Sequence, residues 1–195
     1  YLTALYQLAK ADVEKEDYAE AKELLLRAVG EYPHNLGEGK LESGQENNLY
    51  YLLGLVQEKL GEAKDAFESL TRACCGESEP VGMMYYNDQP PEMIYYQGLA
   101  YRMLGEEEQA VRRFQKLVDY GREHIRDDVK IDYFAVSLPD LLIFEENLNE
   151  RNRKHCLFMM SLGLKGLGRI DEAEKCAEEL LAMDNAHQEI RGRDL

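Results

Sequence analysis

Basic charge is in short supply in this sequence. Its 195 residues hold 23 Lys and Arg against 38 Asp and Glu, a formal net charge of −15. Nucleic-acid binding needs a basic surface that displaces phosphate counterions, so nucleic acid is set aside as a partner. The acidic excess serves solubility, with a basic partner chosen by electrostatics as the alternative. Long apolar runs are missing too. The best candidate, Leu157 to Leu164, meets Lys165 well short of the roughly 18 to 20 uncharged residues of a membrane span, and no membrane role is expected.

Cysteine is sparse. Cys74, Cys75, Cys156 and Cys176 form neither a Cys-x-x-Cys pair nor the dense spacing of a disulfide-stapled secreted domain. They read as reduced, mostly buried thiols. Cys74-Cys75 has two readings, a redox or soft-metal pair or, as favoured here, small hydrophobes at the end of a packed helix. The spacings of a Gly-rich phosphate loop, an HExxH pair, a GxSxG elbow and an EF-hand loop are all lacking. No enzyme chemistry and no cofactor is therefore expected. His155 and Cys156, near the start of a helix, point about 100° apart and cannot share a metal from regular helical geometry, so no metal is expected either. Neither a basic n-region nor an apolar h-region marks a signal peptide, and the chain begins at Tyr1. It reads as a cytoplasmic piece cut from a longer chain.

What the sequence does have is a core's worth of apolar residues, 45%, arranged in a repeat. Four segments end a helical pattern, turn, and restart with an alanine at a fixed offset: Glu16-Asp17 before Ala21, Gly61 before Ala66, Gly105 before Ala110 and Gly168 before Ala173. Seven residues after these alanines come Ala28, Ala73, Leu117 and Leu180, on the same helical face two turns on. Twelve residues before them lie Ala9, Gly54, Gly98 and Ser161. Small residues at both places let two antiparallel helices approach closely. Each unit is thus a helical hairpin. Glu106-Glu107-Glu108 opens a second helix, where carboxylates favour the dipole's positive end.

The pattern resembles the tetratricopeptide repeat family. The second unit carries Tyr50, Leu53-Gly54, Gly61, Ala66 and Ala73, with Gln57 where an aromatic is usual; the third carries Ile94, Gly98, Tyr101, Gly105, Ala110 and Phe114. The first has Leu5, Leu8-Ala9, Tyr18, Ala21, Ala28 and Pro33, and the fourth Gly168 and Ala173. The resemblance implies an all-α, right-handed solenoid of about four hairpins, one repeat domain over 1–195, acting as a protein-interaction or scaffolding module. Repeats fall at about 2–35, 47–80, 91–124 and 154–187.

The alanines stand 45, 44 and 63 residues apart, against a family period of about 34, so every junction carries an insert. These lie at about 36–46, 81–90 and 121–149. The first is Gly-rich and polar, a loop. The second contains the apolar and aromatic stretch from Met83 up to the proline pair Pro90-Pro91, which fixes the start of the next helix. The third holds Ile131, Tyr133, Phe134, Leu141, Leu142 and Phe144, too apolar to float in water, and Ser137 before Pro139-Asp140 predicts an extra helix or two. GEGKL, YYNDQPP and DYFAVSLPDLLIFEENLN together look like the C-terminal helical-repeat part of large bacterial proteins with an uncharacterised N-terminal β-domain linked to carbohydrate.

In the family, the first helices line a concave face. Carried onto this chain, that gives a column of Tyr6, Tyr51, Tyr95 and Phe158, a second of Lys10, Leu55, Leu99 and Leu162, and a third of Val13, Glu58, Arg102 and Lys165. The expected binding residues are Tyr6, Tyr51, Leu55, Tyr95, Leu99, Arg102, Phe158 and Lys165, facing a protein or peptide segment, or the neighbouring domain of the same chain. The other reading makes the aromatics core, covered by the third insert or a neighbouring domain. Tyr and Leu fill the columns where chaperone-binding members carry a Lys/Asn carboxylate clamp, so an acidic chaperone tail is disfavoured. Two further readings stay open. The chain reads alternatively as an accessory domain of a carbohydrate-active or sugar-binding bacterial protein, with Tyr85, Tyr86, Asn87, Asp88 and Gln89 bordering a glycan, and an uncapped terminal repeat could pair two copies as a homodimer.

Overall fold

The computed structural model describes residues 1–30, 45–82, 90–130 and 147–187. The polar first insert up to residue 44, the Met83–Gln89 stretch with its glycan candidates, and the apolar run with the helix expected after Ser137 lie outside these described residues. Among the described residues the chain forms eight α-helices and no strand. They are α1 (Leu2–Glu14), α2 (Tyr18–Gly30), α3 (Asn47–Lys59), α4 (Ala63–Ala73), α5 (Pro91–Met103), α6 (Glu107–His124), α7 (Leu148–Gly166) and α8 (Ile170–Met183). Contacts group the chain into two compact units, one of Tyr1–Glu77 with Tyr96–Ala110, the other of Ser78–Tyr95 with Val111–Leu195.

Consecutive helices pair through the same turn four times. Each first helix ends in a residue at positive φ: Glu16 at 62°, Gly61 at 79°, Gly105 at 80° and Gly168 at 74°. All four stand five residues before the register alanine. The amide of that residue bonds the carbonyl three back, and the next amide bonds the carbonyl five back, as in Gly61 N to Glu58 O (3.0 Å) and Glu62 N to Gln57 O (2.9 Å). This Schellman closure satisfies carbonyls the helix end would otherwise leave bare. A left-handed φ costs an L-residue about 1–2 kcal/mol that glycine avoids. Glu16 is the single non-glycine among the four. Replacing it, Glu16→Gly, should stabilise the chain by about 0.5–1 kcal/mol after the extra freedom glycine gives the unfolded chain, which a urea titration checks.

The small residues sit where the spacing puts them, inside the hairpins. Ala9, Ala21, Ala66, Ala110, Ser161 and Ala173 are buried, as are Gly54 and Gly98. In the first unit Ala9 and Ala21 join Leu5, Leu25, Ala28, Leu49, Leu52, Leu53 and Val56 in one core. A Cβ on Gly54 would fall 2.7 Å from Leu70 Cγ and 3.3 Å from the Ala66 carbonyl, so the Leu70 side chain of α4 packs directly on the α3 backbone there. Gln57, the departure from the family's aromatic, is buried and accepts from the buried Ser69 hydroxyl at 2.7 Å. In the second unit the close approach is α6 on α7, where Gly121 lies over the Cys156 carbonyl and Gly163 over the Phe114 carbonyl.

Two local expectations change. Helix α7 starts at Leu148 rather than near 154, because the Asn147 side chain caps it, accepting from the Asn149 and Glu150 amides at 3.1 and 3.2 Å. His155 is therefore mid-helix, its Nε2 2.7 Å from the Val81 carbonyl. Cys75 is exposed and Cys74 half-buried, because α4 ends at Ala73 and the pair sits in the turn beyond it.

Candidate protein-interaction site

Tyr6 and Tyr51 stand on α1 and α3 of the first unit, each half-buried, and both meet Tyr96 of α5. The Tyr6 and Tyr96 hydroxyls are 2.7 Å apart, and the Tyr51 and Tyr96 rings lie 5.5 Å apart, tilted by 40°. Tyr96 itself is buried. Three first helices thus contribute one tyrosine each to a single cluster. Beneath it, Tyr51 packs with Tyr50, Cys74 and Met103 on a small core of Leu70, Ala73 and Ala100. Leu55 is half-buried against the larger core of the same unit, and Leu99 is half-buried on α5. Arg102, one turn beyond, is exposed and holds Glu107 in a two-pronged ion pair, Nη2 to Oε1 at 2.7 Å and Nε to Oε2 at 3.0 Å.

Electrostatics keep the cluster neutral. Burial pushes the Tyr51 phenol up to about 12, Tyr96 and the Glu58 charge adding to the shift and Arg102 opposing it. The hydroxyl therefore stays a hydrogen-bond donor at any ordinary pH. The folded value lies above the unfolded value of about 10. Its contribution to stability is thus complete below pH ~10 and is lost as the pH climbs toward about 12. For this half-buried ring we expect a loss of about 1–2 kcal/mol across that window, absent in Tyr51→Phe, read from the phenolate absorbance and unfolding titrations at each pH.

The remaining expected residues belong to the second unit. Tyr95 is buried, with its ring 5.7 Å from that of Phe114. Phe158 is 5% exposed, its ring 5.1 Å from His187. Lys165 is half-buried in the last turn of α7. The cluster in the first unit is thus made by Tyr6 and Tyr51 with Tyr96, the neighbour of the residue that repeat register picks out. The doubled Tyr50-Tyr51 and Tyr95-Tyr96 were the signal for it.

Sequence reasoning also missed a set of buried amides. Asn47 Nδ2 donates to the carbonyls of Ala73 (2.8 Å) and Cys75 (2.7 Å), and Gln97 Nε2 donates to those of Cys75 (3.1 Å) and Glu77 (2.8 Å). In the second unit Asn152 Nδ2 donates to the His124 carbonyl at 2.7 Å. Each amide from a first helix closes the C-terminal end of a second helix. Lys22 of α2 reaches Glu62 at the head of α4, both carboxylate oxygens at 2.6 Å.

Among known families, the tetratricopeptide repeat model matches residues 3–35 and 92–120, the stretches of α1–α2 and α5–α6. Those two stretches are similar to tetratricopeptide repeats. Repeats of that family generally mediate protein–protein interaction and scaffolding. Among solved structures, the crystal structure of MamA is similar over 97% of this chain and 81% of that one, at 19% identity and a TM-score of 0.34. Among the described residues no helix is long and apolar enough to cross a membrane, and no group of three or more metal-ligating side chains gathers.

Proposed function

We propose that this chain is a protein-binding module, without catalytic work of its own, whose first unit seats a partner segment on Tyr6 and Tyr51 over Tyr96. Leu55 and Leu99 extend the apolar floor and Arg102 orients polar groups of the segment; Tyr95, Phe158 and Lys165 serve the second unit. The observation that carries this reading is the meeting of three tyrosines from successive first helices, two of them half-exposed and each held by Tyr96. Held tyrosines offer large contact area with little rotamer freedom left to lose. The test is a peptide selected from a random library on the full chain. Tyr51→Ala and Tyr6→Ala should each weaken it by roughly 10-fold or more, as truncating an interface anchor does. Folded variants that bind as tightly as the parent would remove the proposal.

A further inference from the structure

Cys74 and Cys75 follow the last residue of α4, and their surroundings are unlike those of the other thiols. Cys75 is exposed, with its Sγ 3.4 Å from the Thr71 carbonyl. Its own carbonyl is the shared acceptor of Asn47 from α3 and Gln97 from α5, at 2.7 and 3.1 Å. Its amide bonds the Arg72 carbonyl at 3.1 Å. Cys74 packs on Leu70, Ala73 and Ala100. Three helices of the first unit are therefore tied at one dithiol turn. Cys156, by contrast, is fully buried with its thiol pushed up to about 12 by burial, and burial also raises the half-buried Cys176.

We propose that Cys74 and Cys75 are a reversible thiol switch that closes to a disulfide by exchange with a small oxidised thiol of the glutathione disulfide class, and that closing it loosens the tie between α3, α4 and α5. The Cys75 thiolate attacks one sulfur of the reagent and releases one thiolate. The Cys74 thiolate then attacks Cys75 Sγ and releases the second. Two electrons pass from the pair to the reagent, and the two thiol protons end on the two released small thiols. Adjacent Cα atoms are about 3.8 Å apart across a trans peptide, below the roughly 4.4 Å that unstrained disulfides span. Closure must therefore twist the peptide between the two residues. That pulls the Cys75 amide off Arg72, moves the carbonyl that Asn47 and Gln97 hold, and draws the Cys74 sulfur from its apolar seat. A strained bond of this kind is easily reduced, which suits a signal and not a staple.

The experiment treats the full chain, with Cys176→Ser to remove the other accessible thiol, with oxidised glutathione. Peptide mapping by mass should show loss of two hydrogens in the Cys74–Cys75 peptide, with no adduct retained. The thermal midpoint should fall by roughly 3–6 °C and recover with a dithiol reductant. Cys74→Ser, or Cys74→Ala should the serine variant fail to fold, should instead keep the glutathione on Cys75. A parent that keeps the adduct as the variant does, that leaves both thiols unreacted, or that closes with an unchanged midpoint overturns the switch.

Discussion

Gly163→Ala is expected to destabilise the chain by about 2 kcal/mol, and by more than its chemistry as one added methyl suggests. The new Cβ would lie 2.5 Å from the Phe114 carbonyl oxygen, 2.7 Å from Val118 Cγ2 and 3.1 Å from Leu117 Cβ. The first of these is backbone in the middle of α6, so relief requires moving a helix and not a rotamer. Overpacking costs about 1–3 kcal/mol, occasionally more, and the helix-propensity gain of alanine over glycine returns only about 1 kcal/mol. Gly121 and Gly166 sit on the same seam, against Cys156 and Met160 and against the Phe114 ring, so neither offers room for the shift. Gly30 is the control. It ends α2 with nothing within 4 Å of a built Cβ, and Gly30→Ala should be neutral or stabilising by about 0.5 kcal/mol. Denaturant titrations of the two variants check the contrast; equal effects would mean the helices do not touch at Gly163.

Asn47→Ala should cost about 2–3 kcal/mol, although it removes only a small polar side chain. Asn47 is buried, and its one amide nitrogen serves both the Ala73 and Cys75 carbonyls. Truncation strips the buried Ala73 acceptor at the end of α4 of this bond, and an acceptor so stripped costs the full desolvation of the group. Gln97 continues to hold Cys75, which limits the damage there. Asn47→Asp should be at least as harmful, because a carboxylate has no N–H to donate and would face two carbonyl oxygens. Urea unfolding of both variants is the check. An Asn47→Asp chain as stable as the parent would show that the amide is not the tie.

The parts of this fold legible in the sequence are those fixed by local chemistry. Ala21, Ala66, Ala110 and Ala173 and the residues twelve before them could be found because helix contact leaves room only for small side chains, and the spacing repeats. The positive-φ turns were legible through Gly61, Gly105 and Gly168, and Glu16-Asp17 was placed by register in spite of its chemistry. Gln57 looked like a lapse from the family pattern until Ser69, twelve residues on, gave it a partner across the hairpin. Asn47, Gln97 and Asn152 carried no signal at all, since an amide's carbonyl partner is chosen by packing over 20 residues or more of chain.

The tyrosine cluster of the first unit was legible to within one residue. Register names Tyr95, but a step of one residue turns a side chain by about 100° on a helix. Spacing alone does not decide which of two adjacent tyrosines meets Tyr6 and Tyr51. The structure puts Tyr96 with them and turns Tyr95 onto Phe114.

The central claim, that a partner segment seats on the tyrosines of the first unit, is tested most directly by tyrosine labelling. The full chain is treated with a ring-modifying reagent with and without a saturating selected peptide, and each tyrosine is scored by mass. The account predicts that Tyr6 and Tyr51 lose most of their labelling on binding, while buried Tyr95 and Tyr96 stay unlabelled in both states. Undiminished labelling of Tyr6 and Tyr51 in the complex, with protection appearing elsewhere, would contradict it.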